Sequence, residues 1–275
     1  MFFLLSFILS IPTHADEHFI SKEVKYETED GWTIRGTLRL PPGAGKGNEF
    51  PAMLMLHEEG HDRLDSGDND SEIAHRLPFQ AGIASLAIDW RGRETSMGNH
   101  QPVPDELHEF STRVEENRYL DVKAGLEFLA DYQGIDRLRL GIFASHFSAE
   151  PAVRAMREIE ILPPRALVLL GGYNLSPESK AYLASVDIPI YTGASILDRA
   201  VFLDMAEVYA KSKNRNSFMI APVSAGRGMN LLHHSNLNRE EQTDISVIGL
   251  LEWLGTNVKN LGRVEAVSFK TRDGW

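Results

Sequence analysis

Short apolar runs alternate with longer amphipathic segments along the chain, a pattern that predicts β-strands alternating with α-helices. Because strand, helix and strand in one sheet connect through right-handed crossovers, this order predicts a mainly parallel sheet covered by helices. The predicted strands after the opening segment are residues 50–56, 83–89, 138–143, 165–172, 188–193 and 217–221. The predicted helices are residues 73–80, 120–129, 151–158, 199–212 and 245–257.

The opening segment has a different pattern. Residues 24–40 alternate polar and apolar side chains on both sides of Glu29-Asp30-Gly31, which is a hairpin signal. We therefore expect an antiparallel hairpin ahead of the parallel strands.

A strand and a helix are joined in the middle of the chain by very few residues. Between the strand 138–143 and the helix that starts at Pro151, the linking sequence is Ala-Ser-His-Phe-Ser-Ala. This spacing of small residues is typical of a nucleophile elbow, in which strand and helix approach closely and the central side chain projects from a strained turn. The central residue here is His146, where a serine hydrolase has serine.

The elbow and the order of elements resemble the α/β-hydrolase superfamily, in its dienelactone-hydrolase-like and serine-esterase-like branch, over residues 24–254. The resemblance implies an α/β-hydrolase fold: a mainly parallel twisted sheet with helices on both faces and an antiparallel N-terminal hairpin. In that family the acidic triad member follows a later strand, where this chain has Asp198, and the general base precedes a glycine, where this chain has Arg227. The oxyanion donors would be backbone groups of Glu58 and Phe147.

The chemistry of the implied triad is altered at two positions. Arg227 stays protonated at ordinary pH and cannot serve as a general base, and His146 replaces the nucleophile. We therefore expect a catalytically degenerate hydrolase domain that binds a small ester-like ligand or supports a partner domain. The alternative is an active carboxylic-ester hydrolase with an unusual site, using Ser145 and His233. Because neighbouring side chains on an elbow point in different directions, we expect Ser145 to be buried beside the strand.

A remote alternative is a zinc-dependent hydrolase. His57-Glu-Glu-Gly-His61 fits the His-Glu-x-x-His pattern, in which both histidines bind the metal from one helix face. Here the motif follows a predicted strand and contains Gly60, so the required helix is not expected. We expect neither a metal nor a cofactor.

A turn after the strand 83–89 carries the sequence Asp89-Trp-Arg91-Gly. Its charged side chains are of the kind that hold loop backbones through hydrogen bonds. We expect Asp89 and Arg91 to be structural.

Composition and charge restrict the classes of partner. The net charge of the 275 residues is −11 and no basic stripe is present, which argues against nucleic acid. The chain has no cysteine, which excludes disulfides and thiolate chemistry. The apolar run at residues 2–11, followed by small residues, predicts a signal peptide at residues 1–15 and export to the periplasm or medium. We expect no membrane span.

The end of the sequence repeats its beginning. Residues 267–275, Val-Ser-Phe-Lys-Thr-Arg-Asp-Gly-Trp, match residues 24–32, Val-Lys-Tyr-Glu-Thr-Glu-Asp-Gly-Trp, in register. Recurrence at the length of a domain indicates a tandem array. We therefore expect a hydrolase domain at residues 16–260, and a linker with the start of a second, truncated hydrolase repeat at residues 261–275.

Overall fold

The computed structural model describes residues 20–45, 47–58, 63, 69–93, 96, 107–159, 164–223, 228–232 and 239–259. The strands are β1 (Ile20–Glu27), β2 (Thr33–Leu40), β3 (Phe50–Leu56), β4 (Ala84–Ile88), β5 (Ile135–Ser145), β6 (Ala166–Leu170), β7 (Ile190–Gly193) and β8 (Phe218–Ile220). The α-helices are α1 (Asn69–Arg76), α2 (Leu107–Glu116), α3 (Arg118–Asp131), α4 (Ala149–Glu158), α5 (Pro177–Ser185), α6 (Arg199–Lys211) and α7 (Arg239–Leu254). Two π-helical turns, Leu77–Ala81 and Gly255–Lys259, follow α1 and α7.

The strands form one sheet in the order β1-β2-β4-β3-β5-β6-β7-β8. β1 and β2 pair antiparallel, and β2 also pairs antiparallel with β4. The pairs from β4 through β8 are all parallel. A mainly parallel sheet with an antiparallel N-terminal hairpin is therefore confirmed.

Helices cover both faces of the sheet, also as predicted. Successive residues of β3 point to opposite faces, so Leu54 lies in one core and Met53 in the other. Helices α3 to α6 bury their apolar side chains in the core that contains Leu54. Helices α1 and α7 pack over the core that contains Met53. β5 contributes to both cores, so the elbow that follows it is anchored on both sides.

The β1–β2 turn is stabilised by the residues in and around the sequence that predicted it. Gly31 has φ +78°, a left-handed conformation that glycine adopts without strain. The Thr28 Oγ1 accepts a bond from the Trp32 amide at 2.9 Å, and the Trp32 side chain is buried. The predicted turn is therefore confirmed.

Asp89 and Arg91 are structural, although Arg91 acts differently from the prediction. The Asp89 carboxylate accepts the backbone N–H of Arg63 at 3.1 Å, so it does hold a loop backbone. Arg91 is buried and binds carboxylates instead: its Nε donates to Asp121 at 2.7 Å and its Nη1 to Asp30 at 2.7 Å. The prediction that Arg91 holds a loop backbone is wrong, because a buried guanidinium needs counter-charges that neighbouring elements supply.

The predicted signal peptide at residues 1–15 and the predicted repeat at residues 261–275 lie outside the described residues. Among the helices that the structure does describe, none combines the length and the hydropathy of a membrane span.

Candidate functional site

The predicted elbow is present between β5 and α4. His146 opens a short 3-10 turn, His146–Ser148, and has φ +52°. Positive φ is uncommon outside glycine, and histidine is among the residues that tolerate it. The Ser148 hydroxyl accepts the Ser145 amide at 2.6 Å and lies 3.2 Å from the carbonyl oxygen of Leu56 in β3. The strained turn is therefore tied to two central strands.

An aromatic cage surrounds the side chain at the tip of the elbow. The His146 ring stacks on Tyr173, with centroids 5.3 Å apart and planes at 14°. The Phe147 ring lies at 87° to the His146 ring with centroids 4.3 Å apart, and the Tyr173 amide donates to the His146 carbonyl at 3.2 Å. His146 is only 9% exposed. The side chain at the tip of the elbow is thus a packed imidazole.

Ser145 is fully buried, which confirms the prediction that it lies beside the strand. Its Oγ donates to Glu58 Oε1 at 2.7 Å, and a charged acceptor makes this a strong hydrogen bond. The backbone of Gly228 lies directly on the pair: a Cβ there would overlap the Glu58 carboxylate and stand 2.7 Å from the Ser145 Oγ. Gly171, at the end of β6, packs equally closely on Gly228. The Ser145 hydroxyl is therefore enclosed by backbone and carboxylate.

The loop after β3 carries the predicted oxyanion position. His57 and Glu58 follow β3 without helical structure, and His57 Nδ1 lies 2.7 Å from the Glu58 carbonyl oxygen. The Trp90 Nε1 donates to the His57 carbonyl at 3.1 Å. The helix that the zinc alternative requires is therefore absent at His57, and His61 lies outside the described residues. Over the described part of the chain, no three His, Cys, Asp or Glu side chains cluster as metal ligands would.

The predicted acid position lies on the same edge of the sheet as the elbow. Asp198 follows β7 and precedes α6, and its carbonyl accepts the Phe202 amide at 2.8 Å. β6 separates its strand from β5 in the sheet. Arg227 and His233 flank the 3-10 turn Gly228–Leu232 but lie outside the described residues. The convergence of Asp198 and Arg227 on His146 stays a prediction.

Sequence reasoning missed an apolar rim at this edge. Phe147 on the elbow, Ile196 and Leu197 after β7, and Val223 after β8 are exposed, Leu197 to 73%. The Ile196 amide donates to the Pro222 carbonyl at 3.0 Å, which joins the two later loops. Exposed apolar side chains grouped on one edge are the kind of surface that binding sites use. The signal in the sequence was the apolar pair Ile-Leu in an otherwise polar loop.

Comparison with known proteins gives a consistent fold. No family model and no curated protein sequence matches the chain. Among solved structures it is similar to a dienelactone hydrolase from Anabaena variabilis, with TM-score 0.64 and 17% identity over 87% of this chain and 99% of that one. It is also similar to an esterase from Pyrococcus furiosus, with TM-score 0.61 and 19% identity over 91% and 95% of the two chains.

An acetyl xylan esterase from Paenibacillus sp. R4 matches with TM-score 0.59 and 13% identity over 88% of this chain and 86% of that one. Identities this low show a shared fold and carry no information on activity. The chain has the α/β-hydrolase fold.

Proposed function

We propose that this chain is a catalytically degenerate α/β-hydrolase-fold domain that uses its former catalytic edge to bind a small ester-like ligand. One observation carries the proposal: the elbow turn is kept at φ +52°, and its tip is a packed imidazole. A strained turn costs about 1–3 kcal/mol and persists where surrounding structure supports it. The chain thus has the elbow geometry of the family, with His146 in place of the serine that the family's acyl chemistry needs.

Acyl transfer by serine needs a free hydroxyl, a base in reach of it, and room for a tetrahedral intermediate. Ser145 fails the requirement for room, because it is fully buried and the Gly228 backbone lies on its hydroxyl. Arg227 fails the requirement for a base, because its guanidinium stays protonated. Both features support the proposal that the acyl-enzyme route of the family is closed in this chain.

The ligand class follows from the surface that remains. Phe147 and Tyr173 supply aromatic rings beside the elbow tip, and the apolar rim at Ile196 and Leu197 lies on the same edge. Ester-like or aromatic acyl compounds have an apolar body that suits such a surface. Such a site would hold the ester without cleaving it.

A carboxylic-ester hydrolase is the second candidate, and one contact favours it. The Ser145 Oγ donates to Glu58 at 2.7 Å, and a carboxylate can in principle remove a proton from a hydroxyl. This candidate requires the Gly228 loop to move away from the pair during turnover.

A fluorophosphonate probe separates the two candidates, because it labels activated serines covalently. We expect no stable labelling of the purified, folded chain. Ser145→Ala and Ser195→Ala serve as matched variants, since both remove a buried hydroxyl at this edge of the sheet. Labelling that survives Ser195→Ala and is lost in Ser145→Ala would overturn the proposal.

We also propose that the chain is exported after cleavage before Asp16. The support is the apolar run at residues 2–11 with small residues ahead of the cut. N-terminal sequencing of the protein recovered from periplasm or medium tests this. Recovery from the cytoplasm alone, with Met1 retained, would contradict it.

A further inference from the structure

The two π-helical turns, Leu77–Ala81 and Gly255–Lys259, bound a surface cleft with a volume of about 630 Å³. π-Helical turns are rare and occur frequently at functional sites. The first turn leads into β4, and the Arg139 guanidinium donates to the Lys259 carbonyl and to the Glu49 carbonyl just before β3. The cleft therefore lies at the edge of the sheet where β3 and β4 begin. The elbow follows β5 at the opposite edge.

Apolar side chains from both turns and from α7 line part of the cleft. Ile248 and Leu251 of α7 line it on one side, and Ala81 lines it on the other. Leu251 is buried, whereas Ile248 is 46% exposed. An accessible apolar surface inside a cavity of a few hundred Å³ is typical of sites that bind small molecules.

Two charged side chains of opposite sign also line the cleft. The Lys259 Nζ donates to the Ala81 carbonyl at 3.1 Å, which holds the ammonium against the wall formed by the first turn. Glu252 lies on α7, on the other side. In the part of the chain that the structure describes, neither side chain forms an ion pair. The Lys259 ammonium has further N–H donors to offer, and the Glu252 carboxylate is an acceptor.

The neutral polar groups of the cleft can pair with an amide. The Gln80 side chain is exposed, and a carboxamide can both donate and accept hydrogen bonds. The Thr256 Oγ1 donates to the Glu252 carbonyl at 3.0 Å, so its lone pairs remain to accept. A peptide group offers the matching N–H and C=O.

The volume of the cleft sets the length of the ligand. A sphere of 630 Å³ is about 11 Å across, and an extended chain spans at most about 3.5 Å per residue. A peptide of three residues therefore reaches from one side of the cleft to the other.

We propose that this cleft binds a short zwitterionic peptide, of two or three residues, that carries an apolar side chain. The Lys259 ammonium receives the terminal carboxylate of the peptide, and the Glu252 carboxylate receives its terminal ammonium. Ile248 and Leu251 contact the apolar side chain. The site is separate from the elbow, and the proposal does not depend on whether the domain is catalytic.

The test is calorimetric titration of the natural chain with the tripeptide Ala-Leu-Ala at low ionic strength. The same peptide with an acetylated amino terminus, or with an amidated carboxyl terminus, lacks one of the two charges. We expect each cap to weaken binding by about two- to fivefold, the range of an exposed ion pair. Absence of binding by the uncapped peptide would overturn the proposal, as would a cap at either end that has no effect.

Substitutions assign each charge of the peptide to its partner. Glu252→Gln should abolish the effect of the acetyl cap and keep that of the amide cap, and Lys259→Met should do the reverse. Lys213→Met is the matched control, because the Lys213 Nζ also donates to a backbone carbonyl, that of Ser185 at 2.9 Å, and does not line the cleft. An amide cap that still weakens binding in Lys259→Met would contradict the assignment of Lys259.

A cleft-filling substitution tests where the peptide binds. Gly255 lines the cleft, and a Cβ added there meets no atom within 4 Å, so Gly255→Leu places its side chain in open space. We expect it to weaken binding by at least about tenfold, because it occupies space that the apolar side chain of the peptide needs. Gly249→Leu is the control, at an exposed glycine of α7 that also has open space and does not line the cleft. Equal binding by the two variants would overturn the location, and the capped peptides decide the question in the natural chain if Gly255→Leu does not fold.

Discussion

The hydrogen bond between Ser145 and Glu58 offers a quantitative test of whether Ser145 is structural. Ser145→Ala removes a fully buried Oγ that donates at 2.7 Å to the carboxylate. Hydrogen bonds to charged groups contribute about 1.5–3 kcal/mol. Because Glu58 is only partly buried, we expect about 1.5 kcal/mol, at the low end of that range.

The assay is chemical unfolding of a double-mutant cycle with Ser145→Ala and Glu58→Gln. We expect a coupling free energy of about 1.5 kcal/mol between the two sites, and a melting temperature lower by about 3–6 °C in Ser145→Ala. Ser195→Ala, a buried serine away from Glu58, is the control and should show no coupling with Glu58→Gln. A coupling near zero would mean that the contact does not stabilise the fold, and the structural role of Ser145 would be refuted.

Three further substitutions, the first with a control, test the packing at the site and the buried pair of Arg91 and Asp121. Gly228→Ala should lower the free energy of unfolding, measured by urea titration, by at least about 1–3 kcal/mol, because φ is +55° and the added Cβ meets Glu58. The control is Gly249→Ala, at an exposed helical glycine with open space around it. It should be neutral or stabilising by roughly 0.5–1 kcal/mol in the same titration. Arg91→Met should lower the free energy of unfolding by about 3–5 kcal/mol, because it leaves the buried Asp121 carboxylate without its partner; a loss below about 1 kcal/mol would contradict this. Burial raises the pKa of Asp121 to about 7 despite Arg91. In the unfolded chain the same carboxyl group has a pKa of about 4. The folded protein therefore keeps a proton that the unfolded chain releases, so stability relative to Asp121→Asn should fall as pH rises from about 4 to 7, and a rise would contradict the assignment.

The fold was predictable from local sequence because most elements have a hydrophobic periodicity or end at recognisable turn residues. The turn at Glu29-Asp30-Gly31 and the elbow around His146 were located correctly, since both depend on small or positive-φ residues at fixed positions. The separate helix α2 was not predicted. β5 also extends beyond the predicted strand, because Ile135 pairs with Phe50 at a distance in sequence that local pattern does not reveal.

The candidate site was predictable in position and not in its contacts. The burial of Ser145 followed from the direction of side chains on an elbow, while its partner Glu58 comes from a loop far away in sequence. The stacking of His146 on Tyr173 likewise depends on the sheet, which places the loops after β5 and β6 side by side. Arg91 was assigned to loop backbones because sequence cannot show that Asp121, on α3, enters the same buried cluster.

The central claim is that the elbow keeps the geometry of a hydrolase without its chemistry. It is tested most directly by restoring the two missing groups, with His146→Ser and Arg227→His in one chain, and measuring steady-state hydrolysis of p-nitrophenyl acetate. Because triad members act as a unit, each single substitution should give little. We predict no turnover by the natural sequence above the Ser145→Ala background, and a clear gain in the double variant alone. Turnover by the natural sequence that disappears in Ser145→Ala would contradict the claim.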